Sequence, residues 1–202
     1  MRVTTVLAAS MLLGVASLSA PLAAQMTMQP PSAQGGLTAA ASTRATTVVS
    51  LGFQRVAGQP APAALTVTID YGQPHVRGRN VPDELTKNAT IWRTGANSAT
   101  ILTTQANLVI GGTAVPVGAY SLYSIREGDQ YFLIINKNTG QWGTEYDATK
   151  DHARVPLRAK TNAEVRESLQ IAMVPALVAP AKGVLTISWG NLELSADWST
   201  VK

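Results

Sequence analysis

Residues 65–71, Leu-Thr-Val-Thr-Ile-Asp-Tyr, alternate apolar and polar side chains without a break. A period of two sends successive side chains to opposite faces of a strand, so Leu65, Val67, Ile69 and Tyr71 make one face and Thr66, Thr68 and Asp70 the other. Similar β-branched or alternating runs recur at 46–51, 99–104, 107–110, 113–115, 119–125, 130–136, 155–160, 169–173, 183–189 and 192–198. Between them stand Gly, Pro, Asn and Asp, and nowhere does helical spacing of apolar residues persist for about three turns. Gly111-Gly112 and Glu127-Gly128-Asp129 each join two such runs and predict hairpins, and Gly190-Asn191 predicts a last one. Pro156 cannot donate to a central ladder, so its run is expected at an edge. The pattern predicts an all-β domain: one antiparallel β-sandwich of about ten short strands, jelly-roll or immunoglobulin-like, over 45–202.

Two segments precede that domain. Residues 1–24 begin Met1-Arg2, run apolar from Val6 to Leu18 and end in small residues, the pattern of a secretory signal peptide. Residues 25–44 are dominated by Gln, Met, Pro, Gly, Ser, Thr and Ala, too little apolar area to offset ordering, and are read as a flexible linker. The expected location is therefore outside the cytoplasm, periplasmic or secreted, with no membrane span once the leader is removed. The chain has no Cys, hence no disulfide and no lipid-bearing Cys at the cut, and the fold must rest on its core.

Composition excludes several functions. Sixteen Lys and Arg against twelve Asp and Glu give +4, or +3 without Arg2, and the cations are scattered, so no nucleic-acid partner is expected. No nucleophile motif and no phosphate-cradling loop occur. His75 and His152 with Asp147 and Asp151 lack the spacing of a zinc site. Asn136, Asn138, Glu145, Asp147 and Asp151 lack that of a calcium loop. Neither metal nor cofactor is expected. Pro82-Asp83-Glu84-Leu85 suits one turn of helix within the polar connection 72–87.

The most informative stretch is Ile91-Trp92-Arg93-Thr94-Gly95-Ala96-Asn97-Ser98-Ala99-Thr100. A guanidinium beside a Gly-containing turn suits a carboxylate or phosphate held by two parallel hydrogen bonds. The expected site joins Arg93, Asn97 and Arg79 with Tyr71 as a wall. The alternative is that Arg93 pairs internally with Asp70 or Asp151 and Asn97 merely caps the turn. Trp142 and Tyr146 lie in a second polar loop, 137–150, where exposed rings could stack on sugars, or Trp142 could fold back as a plug. Trp92, Tyr120, Phe132, Trp189 and Trp198 lie in strand patterns and are read as core.

Ile69-Asp70-Tyr71 with Pro74, Gly78-Arg79, Trp92-Arg93-Thr94-Gly95-Ala96-Asn97, Gly118-Ala119-Tyr120-Ser121-Leu122, Asn136-Lys137, Trp142-Gly143, Asp151 and Trp189 together resemble the bacterial domain of unknown function 2911. The resemblance covers about 65 to 190. It implies an exported, mostly β protein and brings no activity with it. The chain departs from the family pattern in lacking a Gly and a Tyr between Arg79 and Trp92, and in carrying Arg126 where a Pro commonly stands.

The functions expected from these readings are a binding or envelope-interaction module for a small anionic or glycan ligand, an acid/base hydrolase of sugars or esters, or a purely structural domain. A perturbed carboxylate in a cleft near Arg93 would favour the hydrolase. An aromatic rim without buried acids would favour binding. Full internal satisfaction of Arg93 and Asn97 would favour structure alone.

Overall fold

The alternating runs become strands wherever one face finds a partner layer. The computed structural model describes residues 37–81, 90–178 and 180–201; the leader, residues 25–36 of the linker and the helical turn expected at Pro82–Leu85 lie outside them. Residues 38–201, apart from those not described, form one compact unit. Its strands are β1 (Ser42–Leu51), β2 (Leu65–Pro74), β3 (Thr100–Thr104), β4 (Leu108–Ile110), β5 (Thr113–Val115), β6 (Gly118–Glu127), β7 (Gln130–Asn136), β8 (Asp151–Ala176) and β9 (Lys182–Thr200). They form one nine-stranded sheet in the order β1-β2-β3-β6-β7-β8-β9-β4-β5, every pair antiparallel. A 3-10 turn at Ala148–Lys150 is the one other regular element described, capped by Asp147, whose carboxylate accepts from Thr149 N at 2.9 Å. Among the described residues no helix is long and apolar enough to cross a membrane.

The all-β, antiparallel expectation holds, and so do the hairpins at Gly111-Gly112 and Gly128. Arg126, at the departure from the family pattern, closes the second turn by donating from Nε to Gly128 O at 2.7 Å. The expectation of about ten short strands is corrected in one respect: β8 has 26 residues and β9 has 19. No hairpin forms at Gly190-Asn191. Gly190, at φ +60, sits within β9 opposite Arg166, where the β8–β9 register shifts twice. A left-handed glycine serves a two-residue turn and a bulge equally well, and only the partner strand decides between them. Here β8 continues alongside, so the chain bends instead of reversing.

That bend doubles the sheet over. The later half of β8 leaves β7 and lies against β2: Ile171 N donates to the Tyr71 hydroxyl at 3.1 Å, and Gln73 Nε2 to Leu169 O at 3.0 Å. Thr200 N reaches Ala181 O at 2.8 Å, so β9 begins and ends side by side. The main buried cluster includes Val67, Ile69 and Tyr71 from β2, Leu133 and Ile135 from β7, Leu169 and Ile171 from β8 and Leu185, Ile187, Trp189 and Trp198 from β9. Each such side chain contributes about 1.5–3 kcal/mol on burial, the main stabilisation available without disulfides. Pro156 stands opposite Phe132 of β7, just before the ladder to β9 begins at Arg158, so the strand is locally an edge there.

Candidate functional site

Arg93 lies between β2 and β3, just before the chain enters β3 at Thr100. Trp92 and Ser124 on β6 exchange backbone hydrogen bonds of 2.8 and 2.7 Å, which pins the segment to the sheet. The chain then turns sharply, with Thr94 at φ 51 and Asn97 at φ 63. Left-handed backbone costs a non-glycine residue about 1–2 kcal/mol, and a β-branched Thr is an uncommon occupant. Its surroundings hold it there: Thr94 Oγ1 meets Ser124 Oγ at 2.7 Å, and Thr100 Oγ1 donates to Thr94 O at 2.9 Å.

Two glycines let the turn be gripped from both sides. A Cβ on Gly72 of β2 would lie 2.1 Å from Ala96 O, and one on Gly143 would lie 2.4 Å from Arg93 Cδ and 2.7 Å from Asn97 O. Gly143 N also donates to Asn97 O at 3.1 Å. The loop after β7 is thus tied to the turn. Arg44 on β1 holds the turn's far end, donating from Nη1 to Ser98 O at 3.3 Å and pairing with Asp70.

A cleft of about 540 Å³ opens beside the turn. Arg93, Asn97, Arg79 and Tyr146 line it, together with Trp92, Trp189 and Tyr123. Tyr71 does not: it is buried in the core, where its hydroxyl accepts from Ile171 N. Trp142 is not part of the lining either; it is 49% exposed, one residue before the lining Gly143, and does not fold back into the core as a plug. Trp189 arrives from almost a hundred residues away and stacks on Trp92, centroids 5.8 Å apart at 15°. No local pattern marks it as a cleft residue, because only the bend at Gly190 brings it there.

The two guanidiniums differ. Arg79 is spread over its own turn, donating to Val76 O at 3.0 Å and His75 O at 2.6 Å while lying 5.4 Å over the Trp189 ring. Arg93 is half-buried and makes one long bond to its own turn, Nε to Gly95 O at 3.4 Å. The internal pairings considered for it are taken by others. Asp70 binds Arg44 and Thr46, and Asp151 binds Asn136, Tyr146 and Arg154. Among the described residues no Asp or Glu lines the cleft, and no three His, Asp or Glu cluster to hold a metal.

Tyr146 edges the cleft, packs edge-on against Tyr123 with centroids 5.0 Å apart, and donates to Asp151 Oδ2 at 2.6 Å. Burial first, then the hydrogen bond to Asp151 and its charge, push the phenol up to about 12, against the pull of Arg154. It stays protonated at neutral pH, a donor and not a base. The folded state favours the protonated phenol, so this stabilisation is complete below the ordinary value of 10.0 and is lost as pH rises towards about 12. Solvent screening limits it to on the order of 1 kcal/mol. Wild type should therefore lose more thermal stability than Tyr146→Phe between about pH 9 and pH 11; equal losses in a melting series would contradict this.

The class defined by this fold and cleft is a doubled-over antiparallel sheet bearing a basic, aromatic end cleft. The chain belongs to the DUF2911 family, described as a protein of unknown function, whose pattern matches residues 55–197. No curated protein and no solved structure matches it.

Proposed function

We propose that this is an exported β-sandwich binding module whose end cleft takes a small anionic ligand, a carboxylate or phosphate, with a sugar ring as its natural accompaniment. The observation that carries this reading is Arg93: a half-buried guanidinium facing a cleft with one long bond to its own turn. A planar fork held at a rigid turn is preorganised for two parallel bonds to a carboxylate or phosphate. The Trp92–Trp189 stack and Tyr146 supply flat apolar surface and a hydroxyl of the kind that pack against sugars. The leader-like residues 1–24 support export.

A hydrolase would need a carboxylate poised in the cleft, and the described lining offers two guanidiniums and protonated tyrosines instead. A purely structural domain would need neither the opening nor the strained turn. Calorimetric titration tests the reading with glucuronate, acetate and inorganic phosphate as probes and glucose as the neutral control. At least one anion should bind saturably and bind about tenfold or more weaker to Arg93→Ala, the loss expected of a charge-assisted pair. Absence of saturable binding by all three anions, or equal binding by the variant, would refute it.

A further inference from the structure

The pole away from the cleft is built from different chemistry. β1 runs from Ser42, which lines the cleft, to Leu51 at the other end, roughly 30 Å away at 3.4 Å per residue. Several loops converge there. Val201 N donates to Asn107 O at 3.0 Å, Val117 N to Asn107 Oδ1 at 3.1 Å, and Thr200 N to Ala181 O at 2.8 Å. A groove of about 510 Å³ among them is lined mainly by apolar residues, Phe53, Val178 and Val201 included. Phe53, Val56, Val117, Leu177, Val178 and Val201 are all exposed, and with Val174 they make up most of the large apolar side chains exposed among the described residues. Single exposed apolar residues are ordinary; this concentration on one pole is not.

The charges of the pole have one sign. Residues 51–69 contain Arg55 and no acid, residues 174–192 contain Lys182 and no acid, and residues 101–125 carry no charge at all. Arg55 and Lys182 are exposed, and neither makes an ion pair among the described residues. The nearby Asp197 is neutralised by Arg158 through bonds of 2.9 and 2.8 Å.

We propose that this pole attaches the protein peripherally to an anionic lipid surface. The apolar tips enter the interface, and Arg55 and Lys182 meet lipid phosphates. Charge argues for this occupant over a second copy, since pole-to-pole pairing would bring like cations together with no acid between them. Shape argues the same way. The apolar groups project from separate loops, Leu177 entirely clear of the body, as inserting tips do and a flat complementary face does not. The proposal is independent of the cleft and its ligand.

The test is flotation of the full chain with vesicles of phosphatidylethanolamine and phosphatidylglycerol, or of phosphatidylcholine alone. Any contribution of the apolar N-terminal segment is common to every variant. Wild type should float with the anionic vesicles with about tenfold preference over the neutral ones. The double variant Phe53→Asp/Leu177→Asp should lose at least about tenfold in partition while melting as wild type does, the altered side chains being exposed. Arg55→Glu/Lys182→Glu should abolish the preference for anionic lipid, and Arg93→Ala should float normally. The proposal is overturned if wild type stays in the soluble fraction, or if the Asp variant floats unchanged. It is equally overturned if the Asp variant alters only self-association in light scattering, which would assign the pole to a second copy.

Discussion

Gly72→Ala is expected to destabilise the protein by about 3 kcal/mol or more and to dismantle the cleft, a cost at the upper end of overpacking effects. The atom added would lie 2.1 Å from Ala96 O and 2.8 Å from Ala96 C, both backbone, so no side-chain rotation relieves the clash. The Thr94–Asn97 turn must move off β2, and it already holds two left-handed residues with little strain to spare. Melting should fall by on the order of 10 °C. Gly52→Ala, where nothing lies within 4 Å, serves as the control and should melt as wild type does. A Gly72→Ala protein of wild-type stability would mean that the turn is not braced against β2.

Trp189→Ala is expected to cost about 3–5 kcal/mol, because the site cannot collapse around so large a loss. The ring is buried, stacks on Trp92 and supports the Arg79 guanidinium, so its removal opens the core to the cleft. Trp189→Phe should cost much less. Its indole N–H makes no hydrogen bond within the protein, so Phe gives up area but no protein partner. Urea unfolding of the pair checks this; an Ala variant within about 1 kcal/mol of wild type would show that the stack is not a structural wall.

These two positions also mark how far the sequence could be read. The strands were legible because a two-residue period with Gly and Pro punctuation has few other solutions, as Leu65–Tyr71 shows. The Arg93–Asn97 turn was legible because Arg, Gly and Asn seldom crowd together without a backbone reason. Gly190-Asn191 reads as a hairpin from sequence because a left-handed glycine looks the same in a turn and in a bulge. From that one ambiguity followed the missed length of β9, and with it the missed role of Trp189. Tyr71, expected as a wall of the cleft, shares the strand face of Val67 and Ile69 and is buried with them in the core. Local pattern fixes a side chain's face; only the bend of the sheet fixes what that face meets.

The central claim is that the Arg93 guanidinium serves a ligand and not the fold. Arg93→Lys keeps the charge and removes the planar fork, so melting temperature and anion affinity measured on the same preparation separate the two roles. If the claim holds, affinity for the anion that wild type binds best falls by about tenfold, and the melting temperature stays within about 1 °C of wild type. If the variant instead melts several degrees lower and binds that anion as tightly as before, Arg93 is a structural residue and the cleft is not the binding site.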